Sequence, residues 1–170
     1  MKNKTIISVL IIILAIAGLL WWGRPTQKSV SAHPDPNSSH SAIALEALET
    51  SYDFGKISMA QGKVEKTFEI SNVDSQDVIL ERVTTSCMCT SAYLETAGGK
   101  EKGPFGMVGH GGTVPKANEI IKPGETRRVR VVFDPNAHGP AGVGIINRVV
   151  ILEDSLGRVL EFQIKAVVTP

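Results

Sequence analysis

The chain has 170 residues, with 18 Lys and Arg against 17 Asp and Glu, 42% hydrophobic residues and two cysteines. That length suits one ordinary domain plus an appendage, and the hydrophobic fraction is too high for a wholly disordered chain. The near-zero net charge speaks against a nucleic-acid binder that works by neutralising phosphates, and two cysteines are too few for a disulfide scaffold.

In chain order, the first element is an apolar run from Ile6 to Trp22, interrupted only by Ser8 and Gly18 and preceded by the cationic start Lys2-Asn3-Lys4. As a helix rising about 1.5 Å per residue it reaches roughly 25 Å, near the lower limit for crossing a hydrocarbon core, with Trp21 and Trp22 at the interface. A cleaved signal peptide is the competing reading. Its small-x-small site, Val30-Ser31-Ala32, lies well beyond the apolar run, which favours a retained single-pass anchor over residues 1–23. No cysteine follows the run, so a lipid-modified amino terminus is not expected. The rest of the chain is expected on the extracytoplasmic side of the cell membrane, or secreted if the segment is cleaved. Beyond residue 41 the chain keeps 14 basic and 16 acidic residues, so this part is nearly neutral.

Residues 24–41 carry Pro25, Pro34, Pro36 and five serines without apolar periodicity, and read as a flexible tether. His33 and His40 lie in it as solvated linker residues, since two isolated imidazoles on a flexible chain make a poor metal site.

Over 42–170 the pattern changes to period two. Val64, Lys66, Phe68 and Ile70 share one parity, Val78 and Leu80 precede Val83, Val129, Val131 and Phe133 alternate with Arg128 and Arg130, and Leu160, Phe162, Ile164 and Ala166 oppose Glu161, Gln163 and Lys165. This is half-buried strand patterning. The run Gly144–Asp154 is apolar on both parities and reads as a central strand that Asn147 and Arg148 interrupt. Turn signals fall at Asn72–Asp77, Lys122–Glu125, Asp134–Gly144 and Asp154–Gly157, and only residues 44–50 hold the makings of a helical turn. Six or seven short strands so spaced predict an all-β, antiparallel β-sandwich, large enough to fold without disulfides.

Tyr52-Asp53-Phe54-Gly55-Lys56-Ile57, Phe68-x-Ile70-x-Asn72, Thr84-Thr85-Ser86-Cys87-Met88-Cys89-Thr90, Ile121-Lys122-Pro123-Gly124-Glu125 and Val131-x-Phe133-Asp134-Pro135, in that order, resemble the domain of unknown function 1573 family. The likeness covers about residues 50–168. It implies an exported bacterial module with an immunoglobulin-like sandwich, and implies no reaction. The chain departs from the family in its long Gly-rich stretch between the cysteine motif and Lys122-Pro123-Gly124-Glu125, so whatever is particular to this protein is expected there.

Cys87 and Cys89 are two apart at the end of a predicted strand, so on extended backbone both sulfurs point to one face. Bridging them then requires a local turn or a strained bond. Residues 97–118 hold seven glycines and bring Met107 and His110 three residues apart. If this loop folds over the end of the sandwich, Cys87, Cys89, Met107 and His110 form a candidate metal site. Thiolate and thioether are soft donors that select Cu(I), while two thiolates and an imidazole also suit Zn(II). Met88, between the cysteines, is expected to face the other way. For His138 an exposed turn position is the favoured reading over a ligand role. Arg127, Arg128 and Arg130 alternate in parity and build no single basic patch, and Asp53 and Asp134 are expected to bond neighbouring backbone amides rather than to act as acid or base.

Three functions therefore stand side by side. The first is a non-enzymatic, membrane-tethered module that binds copper, zinc or a protein partner through the Cys87/Cys89 and 97–118 end; the second is a thiol-disulfide redox protein; the third is a structural or adhesive domain without metal. No nucleic-acid partner is expected.

Overall fold

The structure, a computed structural model, describes residues 44–109 and 115–170. The expected anchor over 1–23, the tether with its two histidines and the candidate ligand His110 lie outside the described residues. Among those described, no helix is long and apolar enough to cross a membrane.

The described residues form ten strands, more than the six or seven expected: β1 Leu45–Ala47, β2 Ser51–Ser58, β3 Val64–Asn72, β4 Val78–Thr85, β5 Thr90–Glu95, β6 Glu101–Phe105, β7 Glu119–Ile121, β8 Thr126–Phe133, β9 Gly144–Asp154 and β10 Val159–Thr169. They form two five-stranded sheets, ordered β1-β3-β8-β5-β6 and β2-β10-β9-β4-β7. The sandwich is as expected, but it is not purely antiparallel, because β2 runs parallel to β10.

The extra strands come from three places that the period-two pattern does not reach. In β1, residues that held the makings of a helical turn pair instead with β3, Leu45 opposite Asn72, because this places Leu45 fully inside while Leu48 faces water. The short strand β7 pairs with β4 at the sheet edge. Strand β6 rises out of the Gly-rich stretch and pairs with β5. Gly103 permits that pairing: its φ is 137°, and a Cβ there would sit 2.9 Å from the Ala92 carbonyl oxygen, so a side chain would break the edge.

The alternating residues fill the space between the sheets. Phe68 on β3 stacks on Phe162 on β10 with ring centroids 4.3 Å apart, so the two sheets meet through these rings. Ile70, Leu80, Leu94, Val129, Val131, Val150, Leu152 and Ile164 surround them, fully buried. Burial of this kind stabilises by about 1.5–3 kcal/mol for each large side chain. The change of parity between Leu80 and Val83 is a β-bulge, since the register against β9 shifts between Leu80 and Arg82. Asn72 closes the turn after β3: its Nδ2 donates to the Gln76 and Ile121 carbonyls, each at 2.8 Å, and its Oδ1 accepts from Asp74 N.

Candidate functional site

The two cysteines sit where the chain leaves one sheet for the other. Strand β4 ends at Thr85, residues 86–89 form a turn, and β5 begins at Thr90 in the opposite sheet. The expected extended backbone is therefore replaced by a turn. Thr90 N donates to the Cys87 carbonyl at 3.1 Å, and the buried Thr85 Oγ1 lies 2.9 Å from the same carbonyl and 3.1 Å from that of Thr90. The turn is fixed from both sheets, by Ser86 N to the Val149 carbonyl at 2.9 Å and by Asp134 N to the Cys89 carbonyl at 2.8 Å. It brings the two Cα atoms to 5.3 Å, and Cys87 and Cys89 are joined as a disulfide. Cys89 N also points at Cys87 Sγ, 3.3 Å away. Met88, between them, is turned out to solvent.

Each sulfur has a basic neighbour. His138 Nε2 lies 3.2 Å from Cys87 Sγ, and Arg148 Nε donates to Cys89 Sγ at 3.3 Å. The loop that carries His138 follows β8 and is held by Asp134, whose Oδ1 accepts from Asn136 N at 2.9 Å, and by Asn136 Nδ2, which donates to the Met59 carbonyl at 2.8 Å. Asp53 plays a similar part at its own turn, accepting from Gly55 N at 2.7 Å, so both carboxylates bond backbone amides as expected. His138 is exposed, as the turn reading had it, yet its ring is committed to a cysteine.

Arg148 has the inward parity of β9, sharing it with the buried Ile146, Val150 and Leu152. Its guanidinium reaches the cysteine turn from inside the end of the sandwich. The signal for it is present in the sequence as a cation that breaks an apolar run on the core-facing parity. The signal for His138 is absent, because only the tertiary fold carries the loop after β8 onto the turn after β4.

Of the four ligands expected from the sequence, Cys87 and Cys89 meet. The Gly-rich segment does pass their turn, with the Gly106 carbonyl accepting from Thr85 N at 3.2 Å, and Met107 follows half-buried. Among the described residues, the imidazole brought to the pair is that of His138. One ligand atom from each of Cys87, Cys89 and His138 lies within 4.8 Å of the other two.

At the other end of the sandwich a second polar cluster closes the return of the same segment. Glu119 on β7 accepts from Ala97 N at 3.0 Å, Lys102 Nζ at 2.8 Å and Arg127 Nε at 3.3 Å, and Arg127 Nη2 donates to Glu125 at 2.9 Å. Burial alone would raise the Glu119 pKa, but Lys102, the Ala97 amide and Arg127 outweigh it and hold the carboxyl below the ordinary carboxylate range. Arg128 and Arg130 face outward; Arg130 pairs with Glu65 and Glu101 and lies over the Tyr93 ring, so the three arginines build no common patch.

No curated protein matches the chain. A protein of unknown function from Porphyromonas gingivalis W83 is similar in structure, with a TM-score of 0.53 and 19% identity over 73% of this chain and 46% of that one. This chain thus spans less than half of that protein, and the likeness establishes the fold alone. The Vibrio cholerae VesB protease (14% identity, TM-score 0.48, 75% of this chain and 32% of that one) and the periplasmic chaperone SfaE (13%, 0.40, 74% and 58%) are looser likenesses that carry no argument. The family described as "Protein of unknown function (DUF1573)" matches residues 45–102, which include the motifs from Tyr52 to Asn72 and the cysteine turn. The resemblance read from the sequence is borne out on that stretch, over which the chain matches the family.

Proposed function

We propose that the Cys87–Cys89 end is a thiol-disulfide exchange site, on a module that the amino-terminal segment holds at the outer face of the cell membrane. The observation that carries this reading is the pair of basic side chains, one at each sulfur. A cation beside a sulfur stabilises the thiolate, and a stabilised thiolate leaves faster when the bond is attacked. In the exchange, the thiolate of a partner dithiol attacks one sulfur, the S–S bond breaks, and its electron pair leaves on the other sulfur. The second partner thiol then resolves the mixed disulfide. The partner ends as a disulfide, and this protein as a dithiol that carries the two electrons and, after uptake from solvent, the two protons.

The test is a redox titration of the full chain against reduced and oxidised dithiothreitol, with thiols counted by alkylation. The expected result is a two-electron transition at a potential above about −300 mV, the region below which structural disulfides lie. A pair that stays closed across the accessible range would end this reading. A second reading rests on the three donors within 4.8 Å: once reduced, the pair and His138 hold a copper or zinc ion. Elemental analysis of anaerobically purified protein checks it, with the metal expected to be lost in Cys87→Ser.

A further inference from the structure

We infer that the reduced site is built for one soft monovalent cation of the Cu(I) class rather than for divalent zinc, with Cys87, Cys89 and His138 as ligands and Arg148 as the residue that sets the choice. The inference rests on the exchange reading in one respect, that the disulfide opens to two thiols.

The argument is one of charge and of ligand number. Cys87 and Cys89 are buried, at 8% and 3% exposure, so an unbalanced charge at their sulfurs is costly. Two thiolates bring two negative charges, and the Arg148 guanidinium, 3.3 Å from Cys89 Sγ, brings one permanent positive charge. A monovalent ion brings the group to neutrality. A divalent ion leaves it with a surplus positive charge against the guanidinium. Asp134 does not alter the count, since it stands 3.8 Å from Lys63 and pairs with it.

Ligand number points the same way. Two sulfurs and one imidazole complete a three-coordinate soft site, whereas zinc takes four ligands in a tetrahedron, and among the cysteine, histidine and carboxylate side chains of the described residues these three converge. As metal binds, each thiol releases its proton to the buffer and forms a sulfur-metal bond. The exposed His138 closes the outer side, where an ion arrives.

The experiment uses the full chain, reduced with a phosphine under argon and shown by alkylation to carry two thiols before metal is added. Cu(I) is titrated against a chromogenic Cu(I) chelator, and Zn(II) against a chromogenic zinc chelator. Arg148→Gln is expected to weaken Cu(I) by about 10-fold while zinc binding holds or tightens, and Arg148→Lys to restore the original preference, in line with the 10- to 100-fold effects of residues that support metal ligands. His138→Gln is expected to weaken Cu(I) by at least about 10-fold, and Met107→Leu and His110→Asn to leave it unchanged.

Loss of both metals to the same extent in Arg148→Gln would overturn the charge argument. Weakening by Met107→Leu but not by His138→Gln would overturn the ligand set. Two titratable thiols that take up no Cu(I) would sink this inference while leaving the exchange reading intact, and a disulfide that the phosphine does not open would end both.

Discussion

Two arginines face the interior of this sandwich, one from each sheet and one at each end, and their surroundings differ in kind. Arg127 on β8 and its partner Glu119 are nearly closed to solvent, with side-chain exposures of 6% and 8%, and the cluster holds carboxylates on every side that matters to its charge. Arg148 on β9 is half-buried, and its inward partner is a sulfur that carries no charge while the disulfide is closed. A charge placed beside carboxylates is always compensated, and the arrangement serves the fold. A charge placed beside a sulfur is compensated only when that sulfur is a thiolate, which is the state the proposed exchange would create at this end.

The comparison is broken most directly at the first site. Arg127→Met leaves the buried Glu119 with only Lys102 and an amide, and should lower the unfolding free energy by about 3–5 kcal/mol, read from the urea midpoint. Opening the disulfide should cost less. The ring it closes is far shorter than the 15-residue loop that contributes about 3 kcal/mol, so Cys87→Ser with Cys89→Ser should shift stability by under about 2 kcal/mol. A larger loss would make the bridge a staple rather than a site.

Acid sharpens the contrast. The Glu119 pKa is held down in the folded state, so its contribution is fully present above the ordinary carboxylate range and is lost as pH falls through the lower folded value. Urea midpoints measured from neutral pH into that acidic range should fall for the parent chain, and should fall less steeply in Glu119→Gln. The smallest effect on stability is expected for Arg148→Gln, within about 1 kcal/mol, since its partner sulfur is neutral in the oxidised protein and its Nη1 reaches only the carbonyl of the neighbouring Asn147, at 3.0 Å. Its rate of reduction by a small thiol should nevertheless drop by about 3-fold or more, because the leaving sulfur loses the cation that stabilises its thiolate. Equal losses of stability in Arg127→Met and Arg148→Gln would erase the distinction between the two ends.

Much of the fold is legible because alternation is a local property. Residues such as Val129, Val131 and Phe133, or Phe162, Ile164 and Ala166, reach the core through the pleat alone, and the structure buries them. The strands that escaped notice are those whose pairing is not recorded locally. Nothing in Leu45-Glu46-Ala47 favours a strand until β3 lies beside it, and Glu101–Phe105 pairs only because Gly103 lets the backbone come close to Ala92. The parallel contact of β2 with β10 joins residues more than a hundred positions apart, a separation at which no periodicity speaks.

The sequence by itself determined that the chain builds a β-sandwich, that it carries an apolar amino-terminal run, and that Cys87 and Cys89 are its best candidate site, since composition, alternation and spacing are all readable along the chain. Tertiary structure decided what surrounds that pair. A turn rather than a strand closes the sulfurs together, the loop after β8 brings His138 from 51 residues away, and β9 delivers Arg148 from 59. The charge and the donors that a sulfur meets are set by which strands end side by side, and that order exists only once the two sheets have packed.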